Sequence, residues 1–154
     1  MTRRLAPALF GLALVPLLGF AGCDDDVRAC TLIGCDSALL VSLEPAGGAL
    51  PDGRYEVRAT AEGEARSCSF TAAPCADGTC FSEVGEGCLS LYALDGEPPT
   101  VGLAPVRGEV SVAVTRDGEA VGSGAVVPAY EPQYLNGPDC GVTCETARTG
   151  VAVE

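Results

Sequence analysis

The chain has no histidine, no lysine and no tryptophan, and aromatic residues make up only 5% of its 154 residues. Histidine is the usual general base in enzymes, so a Ser-His-Asp or Cys-His catalytic arrangement is excluded. A Ser-Lys pair is excluded because lysine is absent. The many carboxylates show no spacing that marks a catalytic pair. The sequence therefore predicts a protein that is not an enzyme, with no catalytic residues and no cofactor.

Metal-binding motifs and long helices are also missing. The nine cysteines include no Cys-x₂-Cys pair, which zinc sites often use, and no Asp-x-Asp-x-Asp-Gly calcium loop occurs. No stretch has the period of an amphipathic helix longer than two turns. Acidic residues outnumber basic ones by 21 to 9, which gives a net charge of −12. A surface with this much negative charge repels nucleic acid and anionic lipid headgroups. Neither is therefore expected as an electrostatic partner.

The N-terminus has the pattern of an export signal. Arg3 and Arg4 precede an apolar run over residues 5–20, and the small residues Ala21 and Gly22 follow it. This order of basic start, apolar stretch and small residues is typical of a signal peptide. The apolar run is shorter than the roughly 20 residues that a membrane-spanning helix needs, so an uncleaved anchor is kept only as the alternative.

Cys23 stands directly after these small residues, and with it the segment resembles the lipobox of bacterial lipoproteins. Phe20 occupies the position three residues earlier, where lipoboxes usually carry leucine. The resemblance implies that residues 1–22 are a lipoprotein signal peptide and that Cys23 becomes the lipidated first residue of the mature chain. Cleavage without lipid is the alternative, and it would leave Cys23 as an unpaired thiol in an oxidising compartment.

Residues 23–36 are expected to comprise the lipidated cysteine and an acidic tether. Asp24, Asp25 and Asp26 repel one another and bury nothing. In enteric bacteria an aspartate after the lipidated cysteine marks retention in the inner membrane, so by resemblance Asp24 favours that membrane. The rule does not hold in all bacteria, and the sequence leaves open whether the anchor lies in the inner or the outer membrane.

Period-two alternation of apolar and polar residues predicts an all-β fold. The predicted strands cover residues 37–43, 54–62, 67–71, 89–94, 109–115 and 120–127. The residues predicted to face the core are Leu39, Val41, Leu43, Tyr55, Val57, Ala59, Ala61, Val110, Val112 and Val114. Asp117 and Gly118 lie between two alternating runs, a pattern typical of a two-residue hairpin turn. Residues 37–127 are therefore predicted to form a small, disulfide-stapled, antiparallel β-sandwich of the Ig-like kind.

Residues 128–154 are predicted to be an irregular, proline-rich C-terminal tail. Three prolines fall close together at its start. Proline has no N–H group to donate to the hydrogen-bond ladder of a central strand. Cys140 and Cys144 are expected to pin the tail to the sandwich. Its tyrosines, Tyr130 and Tyr134, are interpreted as packing over apolar surface.

Apart from Cys23, an even number of cysteines remains, and these can pair fully. They are Cys30, Cys35, Cys68, Cys75, Cys80, Cys88, Cys140 and Cys144. In the favoured arrangement Cys75 pairs with Cys80 across an Asp-Gly turn, and Cys68 pairs with Cys88 outside that loop. Cys30 and Cys35 then form disulfides with Cys140 and Cys144. In the rival arrangement Cys30 pairs with Cys35, and Cys140 pairs with Cys144. Disulfides are favoured over zinc because an exported chain meets oxidant.

The lipobox, the acidic tether, the β-rich body and the cysteine-containing tail together resemble the small Cys-rich lipoproteins of bacteria with high genomic GC content. The resemblance brings no activity with it. We expect an exported, lipid-anchored envelope protein that acts as a non-catalytic binding or structural module, with another envelope protein as its partner. A hydrolase inhibitor that presents the disulfide-framed loop at 76–79 is the alternative. A carboxylate-based hydrolase is a third, less favoured reading.

Overall fold

The structure, a computed structural model, describes residues 35–75, 78–94, 96–134 and 144–154. Within these ranges the chain forms β-strands and no helix, which confirms the all-β prediction. The described residues accordingly contain no helix with the length and apolar character needed to cross a membrane. The strands are β1 Ala38–Pro45, β2 Gly53–Ala61, β3 Glu64–Cys75, β4 Gly78–Ser82, β5 Ser90–Tyr92, β6 Thr100–Leu103, β7 Val110–Arg116, β8 Glu119–Val126, β9 Glu131–Gln133 and β10 Cys144–Val153.

These strands form two five-stranded sheets. Sheet A has the order β5-β6-β1-β10-β9, and sheet B has the order β4-β3-β2-β7-β8. The ladders between the described strands are antiparallel except for the ladder between β1 and β10, which is parallel. Residues from both sheets meet in one hydrophobic core. The predicted β-sandwich is therefore confirmed.

Alternate residues of the long strands build the core. Along β2, Tyr55, Val57 and Ala59 are buried, and the residues between them are exposed. The inward residues predicted on β1 and β7 are buried as well. They are Leu39, Val41, Leu43, Val110, Val112 and Val114. Because successive side chains point to opposite faces of a strand, each of these strands gives one face to the core.

Three aromatic rings pack together in this core. The ring of Tyr55 stacks on Phe70, and Phe70 meets Phe81 edge to face, with ring centroids 5.5 Å apart in both pairs. Both geometries are favourable for aromatic pairs. The Tyr55 hydroxyl donates a hydrogen bond to the Pro51 carbonyl at 3.0 Å. Burial raises the pKa of this phenol above its ordinary value, although the Arg116 guanidinium opposes the shift, and the hydroxyl therefore keeps the proton that it donates.

Two β-hairpins turn on pairs of residues with positive φ. Asp117 and Gly118 link β7 to β8 with φ values of 54° and 86°, so the predicted hairpin turn is confirmed. The Asp117 carboxylate accepts a hydrogen bond from the N–H of Arg54 at 2.9 Å, and its own N–H donates to the Arg54 carbonyl at 2.8 Å. Glu62 and Gly63 form a second turn with positive φ, between β2 and β3.

The structure corrects the prediction for the C-terminus. The tail predicted to be irregular over residues 128–154 contains the short strand β9 and the ten-residue strand β10, which lies inside sheet A. The sandwich therefore extends to Val153. Pro132 lies in β9, an edge strand, where a missing donor is tolerated. The pattern of β10 was not recognised because Thr149 interrupts its apolar alternation between Ala147 and Val151.

Two glycines of β8 face the C-terminal half of β10. A Cβ atom added to Gly122 would lie 2.5 Å from the carbonyl oxygen of Ala152, which is too close for two atoms in contact. A Cβ atom added to Gly124 would stay in ordinary contact, 3.7 Å from the nearest atom of Val151. The missing side chain at Gly122 thus allows β8 of sheet B to lie directly against β10 of sheet A.

Gly122→Ala should lower the free energy of unfolding by about 1–3 kcal/mol, because the new methyl group is forced against the Ala152 carbonyl. Gly124→Ala is the matched control on the same strand. It should be neutral or should stabilise the fold by up to about 1 kcal/mol, because it restricts the unfolded chain. Denaturant titration of both variants, followed by circular dichroism, measures the difference. Equal free energies would show that β8 does not approach β10 at Gly122.

Candidate functional site

Three disulfides connect described cysteines. Their Cα–Cα distances are 5.7 Å for Cys35–Cys144, 4.6 Å for Cys68–Cys88 and 5.7 Å for Cys75–Cys80. All three pairs belong to the favoured arrangement, which is confirmed for them. The rival arrangement is wrong because Cys35 and Cys144 bond to each other. Cys23, Cys30 and Cys140 lie outside the described residues.

The disulfides join separate parts of the sandwich. Cys68 is buried on β3 of sheet B, and Cys88 shortly precedes β5 of sheet A, so their bond links the two layers. The Cys75–Cys80 bond closes the hairpin between β3 and β4. Of the loop at 76–79, residues 76 and 77 lie outside the described residues. Three disulfides indicate an oxidising, exported environment, as the sequence predicts.

A groove of about 870 Å³ runs over the outer face of sheet A, beside the Cys35–Cys144 disulfide. Leu40 on β1 lies opposite Arg148 on β10 in the parallel ladder, and both line the groove. Leu40 faces outward because its neighbours along the strand face the core. Tyr92 from β5 and Val127, which follows β8, also line the groove. Topology therefore brings side chains from four separate strands or strand ends to one surface, here called the sheet A groove.

The sheet A groove combines apolar side chains with charges of both signs. Leu40 is only 8% exposed although it faces away from the core, whereas Val127 is 72% exposed. Asp36 and Glu131 bring two carboxylates, and Arg148 brings one guanidinium. No described residue makes an ion pair or a hydrogen bond with the Arg148 guanidinium. The groove therefore suits a ligand that carries an apolar group next to a carboxylate.

One wall of the groove, residues 127–133, is held to the sandwich by Tyr130. Its hydroxyl donates to the Val106 carbonyl at 3.0 Å and accepts from the Val106 N–H at 2.9 Å. The Arg107 guanidinium lies 5.1 Å from the centroid of the ring. The packing predicted for Tyr130 is thus confirmed, whereas Tyr134 is 44% exposed. Because the wall is fixed before any ligand arrives, little entropy is lost on binding.

Another concavity, of about 560 Å³, has a different character. It is lined by Glu44 and Glu97 together with prolines and Leu94, and it contains no basic residue. Within the described ranges, no group of three or more His, Cys, Asp or Glu residues is placed to hold a metal ion. Comparisons of the chain with protein-family models, with curated proteins and with solved structures find no match. What each concavity can bind is therefore determined by the residues that line it.

The sequence pointed to the cysteines beside the groove but not to the side chains that line it. For Leu40 the sequence does contain a signal of an apolar outer surface, because Leu40 is an apolar residue at an outward position, between Leu39 and Val41. Tyr92 and Arg148 come from strands that are far apart along the chain, and only the strand order of sheet A brings them to the same face.

In a chain whose Cys30 and Cys140 are already serine, so that no second bond can close the same loop, the double substitution Cys35→Ser, Cys144→Ser should lower the free energy of unfolding by about 4–5 kcal/mol, because the bond restricts a very long loop in the unfolded chain. The sequence separation of this pair is 109. The matched control is Cys75→Ser, Cys80→Ser, whose separation is 5. It should cost only about 2 kcal/mol on the same loop-entropy relation. Denaturant titration compares the two, and a larger loss from the short loop would contradict the expected order.

Proposed function

We propose that this protein is an exported, lipid-anchored and non-catalytic module that binds another protein of the cell envelope through the sheet A groove. The observation that carries the proposal is the groove itself. It is a preformed, partly apolar surface on a disulfide-linked sandwich, with an Arg148 guanidinium that no described residue engages. Such a surface fits recognition of a protein segment better than it fits a chemical reaction.

The position of the groove relative to the proposed anchor supports this function. The groove includes Cys35, the first described residue, and its bonded partner Cys144. Covalent geometry limits the chain between Cys23 and Cys35 to about 40 Å when fully extended. A lipid on Cys23 would therefore keep the groove near the membrane surface. Partners that are themselves held at that surface would meet it at a raised effective concentration.

The charges of the groove indicate what the partner presents. Leu40 and Val127 favour an apolar side chain, and Arg148 favours a carboxylate beside it. Asp36 and Glu131, which also line the groove, favour hydrogen-bond donors on the partner. The net charge of −12 disfavours a strongly acidic partner, so we propose a protein surface in which an apolar side chain is flanked by a single carboxylate.

Cys23→Ser should release the protein from the membrane fraction without changing its fold, because the substitution removes the thiol that the lipid would modify and touches no described disulfide. Fractionation of cells that express the full chain measures the change, and the intact mass of the wild-type chain reports the added acyl groups. A variant that still sediments with membranes, or a wild-type chain with the mass of its bare polypeptide, would refute the anchor.

Photocrosslinking in cells tests the groove. A photoreactive aromatic amino acid at Tyr92 of the full chain should capture one reproducible envelope protein, because Tyr92 lines the groove. Arg148→Glu in the same chain should remove most of this adduct, because it replaces the guanidinium with a repelling charge. Arg58→Glu, an exposed arginine on the outer face of sheet B, is the matched control and should leave the adduct unchanged.

Two results would overturn the groove as a binding surface. One is the absence of any adduct from Tyr92 beyond the level given by a photoreactive residue at Ser111, which lies on the outer face of sheet B. The other is an equal loss of the adduct in Arg148→Glu and Arg58→Glu. Thermal melts of both variants establish that each remains folded.

A further inference from the structure

We infer that the Cys75–Cys80 disulfide is a redox-modification site, which a dithiol protein opens while the other two described disulfides stay closed. Both of its cysteines are exposed. In each of the other two bonds one cysteine is buried: Cys68 is 1% exposed, and Cys144 is 5% exposed. Thiol–disulfide exchange requires the attacking thiolate to reach a sulfur atom, so the exposed bond reacts first.

The Cys75–Cys80 bond lies on the outer face of sheet B, away from the hydrophobic core. Along β3, Phe70 and Ala72 are buried, and Cys75 belongs to the alternate set of residues that faces outward. Cys80 lies opposite Ala73 in the ladder between β3 and β4, which places it on the same outer face. Opening the bond therefore leaves the core in place.

The surface around this bond is open to a reductant as large as a protein. The next pair of residues on the same face is Thr71 opposite Ser82, and both side chains are small. β4 is the end strand of sheet B, so no further strand among the described residues shields Cys80 from that side. The reactive thiols of a dithiol protein are themselves only partly exposed. They can therefore reach a bond on a flat outer face but not one between two layers.

Reduction proceeds by two exchange steps. A thiolate of the reductant attacks the Sγ atom of Cys75 or Cys80, a mixed disulfide forms, the bond between the two cysteines breaks, and the released sulfur takes up a proton. The second thiol of the reductant then loses its proton and attacks the reductant's own sulfur in the mixed disulfide. This attack releases the other cysteine, which is protonated in turn. The reductant is oxidised to a disulfide, and the cysteine pair gains two electrons and two protons.

The modification is reversible and separate from the sheet A groove. The two cysteines have a sequence separation of only 5, so their thiols stay close after reduction and the bond re-forms when oxidant returns. Neither cysteine lines the groove. The inference therefore does not depend on the proposed binding function, and the failure of one leaves the other standing.

Reduction loosens the end of the β3–β4 hairpin but not its base. Toward the turn, Thr79 lies opposite Pro74, which has no N–H group to donate to the ladder. At the base, Phe81 packs edge to face on Phe70 in the core. Thr79 also lines the concavity of about 560 Å³. Opening the bond therefore alters one wall of that concavity while the sandwich stays folded.

Timed reduction of the folded full chain tests the site. The probe is reduced thioredoxin, a dithiol protein, and dithiothreitol serves as the small dithiol for comparison. Free thiols are alkylated at each time point, and mass spectrometry of the peptides identifies the labelled cysteines. With thioredoxin, Cys75 and Cys80 should be labelled roughly tenfold faster than the other described cysteines, because only their bond has both ends exposed.

Unfolding the chain provides the control for burial. In denaturant, with dithiothreitol as the reductant, the preference for the Cys75–Cys80 bond should disappear, because every bond is then accessible. A preference that persists unchanged in denaturant would overturn the proposal, since local sequence and not the folded surface would cause it. Equal labelling of the three described bonds in the folded chain would also overturn it. So would a Cys75–Cys80 bond that dithiothreitol opens but thioredoxin does not.

Hydrogen exchange measures the effect on the hairpin. Reduction should speed the exchange of the Thr79 and Cys80 amides roughly tenfold and leave the amides of β2 unchanged, because only the hairpin end loses a restraint. Cys75→Ser, Cys80→Ser is the matched variant. It should show the faster exchange without any reductant and no further change when reductant is added. Exchange in β4 that is the same in the oxidised, reduced and substituted chains would refute the effect on the concavity wall.

Discussion

The parallel pairing of β1 with β10 holds the structure together. It joins the first strand to the last, from Ala38 opposite Thr146 to Pro45 opposite Val153, and it lies in the middle of sheet A. The Cys35–Cys144 disulfide adds a covalent link at the start of the same ladder. One face of the ladder supplies core residues, and the other face carries the groove. Stability and the candidate binding surface therefore depend on the same contact between the two ends of the described chain.

Because the core has few aromatic residues, the disulfides and the close contacts between strands matter more for stability. Apart from the cluster of Tyr55, Phe70 and Phe81, the buried side chains are mainly valine, leucine and alanine. Such side chains bury less area per residue than aromatic ones. The Cys68–Cys88 bond links the two layers, and the close approach of β8 to β10 at Gly122 closes one side of the sandwich. These features hold the two sheets together around their shared hydrophobic core.

Sequence reasoning succeeded where one strand carries its own signal. β1, β2 and β7 carry core residues at every second position, and the Asp117-Gly118 turn needs only local chemistry. β6 was not predicted because its four residues, Thr100–Leu103, include a glycine and directly follow two prolines, a pattern typical of a loop. The sequence predicts an irregular tail where β10 lies, because the pairing of β10 with β1 depends on the whole fold and leaves no local signal. The groove was missed for the same reason, since Tyr92 and Arg148 become neighbours only through strand order.

The central position of β10 has a consequence for how the protein is made. Sheet A lacks an inner strand until residues 144–153 are available, and these follow every other described strand in the chain, so they are synthesised after them. Contacts between such distant parts of a chain form slowly, because a large loop must close before they can stabilise it. For an exported protein this order is an advantage. A chain that crosses the membrane before β10 has paired with β1 keeps its cysteines accessible to the oxidant that forms the disulfides.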